Sequence, residues 1–214
     1  LDGKVSCLVA DGAEALPTEA GTAPVQVISD EPEEPDYLKP PEVDRSGDFS
    51  RVTRCRVVQS KPGYRLISTG QAKETGLALT KCPKALVGKV TLRARMTVPG
   101  AKGFLVNGFI AFGDGPEVAN LVKCGVRFKP QKAMIVQGSL ADGGKTTQAD
   151  VTAPVGKPVD LVVEVDLASQ RVRLTAAGQT VGAKLARPLK SVTHVGFAMD
   201  NAVVDFTPLK VERP

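Results

Sequence analysis

Basic side chains recur two positions apart at four places in this chain: Arg54 and Arg56, Arg93 and Arg95, Arg127 and Lys129, and Arg171 and Arg173. On an extended strand, residues i and i+2 project from the same side of the sheet, so each pair is expected to present two cations to one face. Cations held in that way, guanidinium forks above all, grip sulfate, phosphate or carboxylate oxygens. The chemistry implied is recognition of an acidic polymer. Arg93, Arg95, Arg127, Lys129, Arg171 and Arg173 are therefore the candidate ligand-binding residues. Cations that merely solvate strand faces would give the same spacing, and whether the pairs share a sheet depends on strand order.

Other residues with chemistry in them follow weaker patterns. His194 is the sole histidine, hence the one imidazole available as a general base. Ser191, Thr193 and Asp200 around it form no nucleophile elbow, so it reads as a hydrogen-bonded strand residue. Gly143 and Gly144 precede Lys145-Thr146-Thr147 but lack the spacing of a phosphate loop and any following helix, which leaves a hairpin turn. Cys7, Cys55, Cys82 and Cys124 stand apart, with no CxxC or Cys/His pair to supply zinc ligands. They fit either buried thiols or disulfides of an exported protein. These patterns call for no cofactor and no metal.

The elements that must position these groups are strands. From Arg51 onward, short apolar runs are separated by Gly, Pro and Asp, and no stretch carries a helical period. The pattern predicts strands over 54–59, 64–69, 76–81, 88–98, 103–113, 118–128, 132–140, 145–151, 158–166, 170–176, 179–185, 191–200 and 202–211. Val90 to Val98 alternates apolar with polar, the mark of a strand with one face in the core. Gly103 to Phe112 is apolar almost throughout and is expected mid-sheet, covered on both sides. Asp166 to Gly178 reads as strand, turn, strand, turn. The fold class expected is all-β: a two-sheet antiparallel β-sandwich behind an irregular acidic N-terminal leader.

Charge divides the chain in the same place. Residues 1–50 hold 3 Lys and Arg against 12 Asp and Glu, which leaves 25 against 11 for residues 51–214. Residues 1–28 carry two short apolar stretches and are expected to be a strand pair or the tail of a preceding domain, since the chain begins at Leu1. Residues 29–50, with Asp30-Glu31-Pro32-Glu33-Glu34-Pro35 and Pro40-Pro41, read as a linker, because prolines cannot donate and like charges repel. Residues 51–214 form the sandwich. No apolar run approaches the ~20 residues that cross a bilayer, so no membrane partner is expected.

The order of elements from about Phe104 to Val211 carries a resemblance. Gly108-Phe109-Ile110-Ala111-Phe112-Gly113-Asp114, Val163-Glu164-Val165-Asp166, Val172-Arg173-Leu174-Thr175, Gly178-Gln179-Thr180-Val181, His194-Val195-Gly196-Phe197-Ala198 and the closing Val204-Asp205-Phe206 resemble the concanavalin A-like lectin and glucanase superfamily, laminin-G-like jelly rolls included. The resemblance implies a jelly roll, often an accessory module beside a secreted enzyme. The glucanases of that superfamily set alternate carboxylates along one strand. Here Glu164 and Asp166 supply two, and Ala168 stands where the third belongs, so catalysis is not expected at this strand. Calcium sites of laminin-G-like domains suggest Asp114, Asp200 and Asn201 as a possible convergence at a strand edge, although turn residues of that kind are common.

With no Trp, and with Tyr37 and Tyr64 placed in the linker and an early strand, a stacking platform for neutral glycans is not expected. The expected function is a non-catalytic accessory module that binds an acidic, sulfated or uronate-rich polysaccharide, within a larger secreted or periplasmic protein. The alternatives are a structural domain that packs on a neighbouring catalytic domain of the same polypeptide, and a glycan hydrolase or lyase. Nucleic acid is an unlikely partner, since no recognition motif accompanies the charge and stacking aromatics are scarce.

Overall fold

The computed structural model describes residues 42–61, 63–70, 74–100, 106–139 and 144–213. The apolar stretches expected within 1–28, and the linker up to residue 41, lie outside them. Fifteen strands follow in order: β1 (Arg51–Thr53), β2 (Cys55–Gln59), β3 (Tyr64–Ser68), β4 (Thr75–Leu86), β5 (Lys89–Thr97), β6 (Asn107–Gly113), β7 (Leu121–Phe128), β8 (Gln131–Gln137), β9 (Lys145–Asp150), β10 (Val159–Asp166), β11 (Arg171–Ala176), β12 (Gln179–Lys184), β13 (Val192–Asp200), β14 (Val203–Phe206) and β15 (Lys210–Glu212). They make two antiparallel sheets. One has seven strands in the order β1-β4-β13-β6-β7-β8-β9; the other has eight, in the order β12-β11-β10-β5-β14-β3-β2, with β15 also on β5. Among the described residues no helix is long and apolar enough to cross a membrane.

The two sheets close on one apolar layer, and alternation decides which side chains enter it. On β5, Val90, Leu92, Ala94 and Met96 are buried, while Lys89, Arg93 and Arg95 are exposed. Burying each Val, Leu or Met contributes about 1.5–3 kcal/mol, which is why the strand cannot slip by one residue. β6 occupies the middle of the seven-stranded sheet and every one of its residues is buried, as the apolar run Phe109–Phe112 requires, with Asn107 the one polar side chain among them. Gly108 and Gly125 are small for a reason. A Cβ on Gly108 would stand 2.9 Å from Met96 of the facing sheet, and one on Gly125 only 2.0 Å from the carbonyl oxygen of Gly108.

β10, β11 and β12 form the expected meander. Its second reversal places Ala177 and Gly178 at φ 47° and 76°, the conformation of a two-residue hairpin whose twist matches its strands. The expected strand 54–59 begins one residue later, as β2, because Arg54 at φ 55° turns the chain from β1, paired with β4 in one sheet, to β2, paired with β3 in the other. β4 runs on through Pro83 to Leu86. It can do so because β1 pairs it only over Leu77–Leu79, and the stretch beyond is an open edge where a missing donor does no harm. Residues 118–120 form a short 3-10 turn before β7. The expected strand 202–211 divides into β14 and β15 around Pro208, and Thr207 bridges the gap through its N–H to the Arg95 carbonyl at 2.9 Å.

Within the stretch 29–50, the residues from Glu42 onward lie along β2: the Arg45 N–H donates to Val57 and the Gln59 N–H to Val43. Phe49 then meets Tyr64 edge-on at 5.0 Å and Phe197 at 6.4 Å, at the end of a ring stack that continues to Phe206. This half-buried ring closes one end of the core. Phe49→Ala is therefore expected to lower stability by about 2 kcal/mol, short of the ~3–5 kcal/mol of a fully buried Phe, read as a lower urea midpoint at unchanged slope. An unchanged midpoint would show that the ring adds nothing to the core.

Candidate functional site

The outer face of the eight-stranded sheet brings two of the basic pairs together. Register sets Arg171 opposite Asp166 and Lys184, and Asp166 opposite Lys89. The next row holds Arg173, Glu164, Thr91 and Glu212, and the row after it Thr175, Val162, Arg93 and Lys210. Arg95 faces Asp160 beyond. Across these five strands the outward charged residues are seven cations and four carboxylates. Two open grooves cross the face, one of about 820 Å³ lined by Lys89, Arg171, Arg173, Lys184 and Arg213, the other of about 570 Å³ lined by Arg93, Arg95 and Lys210.

Each arginine already has a carboxylate nearby. Arg95 donates to both oxygens of Asp160 at 2.7 and 3.2 Å, and Arg93 donates to Glu212 at 3.0 Å. Arg173 stands 3.9 Å from Glu164. These pairs are exposed, and exposed pairs contribute only ~0–1 kcal/mol, so an incoming anion can replace the internal partner at little cost. Asp166 accepts the N–H groups of Ala168 and Ser169 in the following turn, which holds its carboxyl below the usual range. Glu164 and Asp166 line the larger open groove beside the basic residues, and Ala168 sits in the turn itself.

The other predicted pairs do not join this face. Arg127 lies on β7 of the opposite sheet and donates from Nε to Asn107 at 3.4 Å, while Lys129 falls past the end of the strand, before the cis peptide bond to Pro130. Arg54 sits in the break before β2 and does not share a strand with Arg56, which pairs with Glu42. Asp114 does not approach Asp200 either. The register puts Asp200 beside Asn107 and His194 beside Gly113, at opposite ends of β6, and Asp114 is held low by hydrogen bonds from Arg187. Among the described residues, no group of three or more His, Cys, Asp or Glu side chains comes together. Cys55, Cys82 and Cys124 are free thiols, and burial pushes that of Cys55 up to about 11.

The opposite sheet carries a polar cluster that spacing does not announce. On its outer face, Thr75, Asp200, Asn107 and Arg127 stand in register on four adjacent strands. Thr75 Oγ1 donates to Asp200 Oδ1 at 2.7 Å, and Asn107 Nδ2 donates to Asp200 Oδ2 at 2.8 Å. Lys123 leans in from β7, its Nζ 3.3 Å from Thr75 Oγ1 and 6.0 Å above the Phe109 ring. Asn107 and Lys123 are wholly buried, beside a small apolar cluster that includes Leu77, Leu79, Met134 and Val136. Burial pulls the Lys123 ammonium below its ordinary value, with Asp200 opposing. The one sequence signal was Lys123 and Asn107 inside otherwise apolar runs, where a polar residue must find a partner.

No family model matches the chain, and no curated protein does. Solved structures share its fold. A carbohydrate-binding module, CBM66, from Bacillus subtilis superposes with a TM-score of 0.61 at 13% identity, over 76% of this chain and 94% of that one. An alginate lyase from Pseudomonas aeruginosa gives 0.50 at 15% identity over 79% and 89%. A sialidase gives 0.54 at 10% identity over 80% of this chain and 18% of its own. The fold is the concanavalin A-like lectin/glucanase jelly roll.

The buried cluster sets a stability test. Asp200→Ala, which leaves Lys123 without its counter-charge, is expected to cost about 3 kcal/mol or more, whereas Lys123→Met together with Asp200→Asn, which removes both charges and keeps an acceptor for Thr75 and Asn107, is expected to cost much less. The Lys123 pKa is lower folded than unfolded, so the unfolded chain binds the extra proton. Relative to Lys123→Met, the wild type should therefore gain stability as pH rises through the folded value toward 10.5. A difference that stays flat with pH in chemical denaturation would show that Lys123 is not desolvated.

Proposed function

We propose that this chain is a non-catalytic sugar-binding module for a sulfated or uronate-rich polysaccharide, working in a secreted protein. The observation that carries this reading is the convergence of Arg93, Arg95, Arg171 and Arg173 on one exposed sheet face, where cations outnumber carboxylates. The fold supports it, since one similar structure is a carbohydrate-binding module and another an alginate lyase. A flat run of strands with open grooves suits an extended chain whose charges recur along it. The internal carboxylates hold the guanidinium forks in place and yield to sulfate or uronate groups of the ligand. Affinity is then ionic in origin, because this face offers no aromatic ring to stack on a sugar.

The intact chain is expected to bind a sulfated glucan more tightly than the same glucan without sulfate. That preference should fall steeply with salt, as exposed charges are screened over roughly 8 Å at physiological ionic strength. Arg93→Ala with Arg95→Ala, or Arg171→Ala with Arg173→Ala, should weaken binding about tenfold, while Lys61→Ala should leave it unchanged. Equal binding of charged and neutral glucan, or binding of neither, in titration calorimetry would reject this reading and leave a domain that packs on a neighbour.

A further inference from the structure

His194 belongs to a basic corner on the other sheet, away from the arginine face. Cross-strand register sets it opposite Lys81 of β4, and sets Arg51 of β1 opposite Leu79, one outward position further along the same face. From β6 the neighbour is Gly113, so no side chain rises beside the imidazole on that flank. The next residue, Asp114, is taken by two contacts to Arg187. The remaining carboxylate, Glu117, meets only the terminal nitrogen of Arg51, at 3.1 Å. Arg51 Nε is buried without an acceptor, one of two such side-chain atoms among the described residues. Thr193 Oγ1 lies 2.9 Å from His194 Nδ1 and orients the ring through that nitrogen, which leaves Nε2 for another partner.

Two cations, one of them held only by an exposed carboxylate, and an oriented imidazole thus stand on adjacent strands of one face. We propose that Arg51, Lys81 and His194 bind a tetrahedral oxyanion, the sulfate group of a sulfated sugar or the free ion. Such a ligand would replace Glu117 at the terminal nitrogen of Arg51 and accept the Nε2 proton of a charged imidazole, with the Lys81 ammonium closing the third side. In the ligand-free protein, burial, and after it Lys81 and Arg51, hold His194 below its ordinary 6.5, so near neutral pH the ring is uncharged. A bound anion reverses the effect of those two cations and favours the imidazolium. By linkage, affinity rises as pH falls through the His194 value, and the site fills most in mildly acidic surroundings. It stands apart from the arginine grooves and does not depend on them.

One histidine makes the test direct, since its ring signal in the intact chain needs no assignment. In NMR pH titrations at matched ionic strength, sodium sulfate is expected to raise the His194 pKa above its value in sodium chloride by about half a unit or more. Lys81→Gln, an exposed change that should leave the fold intact, and Arg51→Ala should each remove that rise. Arg93→Ala with Arg95→Ala should not, which separates this site from the arginine face. Glucose 6-sulfate, compared with inorganic sulfate plus glucose, tells the sources apart: a rise at lower concentration with the ester identifies a sulfated sugar, and equal rises identify the free ion. No difference between sulfate and chloride, or a sulfate response that survives both Lys81→Gln and Arg51→Ala, would overturn the proposal.

Discussion

A buried ammonium needs a counter-charge, and in this sandwich that need ties four strands together. Lys123 on β7 is wholly enclosed, and the carboxylate that offsets its charge belongs to Asp200 on β13, two strands away. Asp200 in turn accepts from Thr75 on β4 and Asn107 on β6. The whole cluster forms only when these strands stand in one register. A slip of β13 by one residue would bring Met199 to the position of Asp200 and leave a charge and an amide buried without partners, a loss far larger than that of a misplaced methyl group. Apolar burial drives the two sheets together, and the polar row, on the outer face of one of them, fixes the register of four of its strands.

The two outer faces then divide by how water treats them. On the seven-stranded sheet, the centre of the face is dry, and polar groups there are satisfied by one another. On the eight-stranded sheet, arginines and carboxylates alternate in the open, each pair contributing little and each able to exchange partners. A protein that binds a charged polymer needs the second condition. Firm internal pairing would make the cations unavailable, and complete absence of pairing would leave them unordered and mutually repelling. The basic corner around His194 lies between these extremes. It is partly desolvated, so that its charge responds to what binds, yet it remains open at Lys81.

The meander β10-β11-β12 shows how local sequence supports this division. Gln170, Ala177 and Gly178 all take positive φ, and the tight reversals they make keep three strands in step. Arg171 and Arg173 therefore project on the same side as Arg93 and Arg95 without any long-range contact of their own. Asp166 secures the first of these turns by accepting two N–H groups, so a carboxylate that resembles half of a catalytic pair serves the hairpin.

The sequence by itself determined the class of fold, most strand positions, the burial of β6 and which face of β5 enters the core. These follow from alternation and turn chemistry, which are properties of neighbouring residues. It did not determine that Arg93 and Arg171 share a sheet while Arg127 lies on the other, that Arg54 falls in a break, or that Lys129 lies past the end of β7. Nor did it show that Asp114 and Asp200 stand at opposite ends of one strand. Strand order decided all of these, and strand order is settled by which apolar faces meet across the sandwich. The same holds for Lys123: its type marked an oddity within an apolar run, but its partner lies 77 positions further along the chain, and only tertiary packing brings an ammonium and a carboxylate so far apart in sequence into the same dry row.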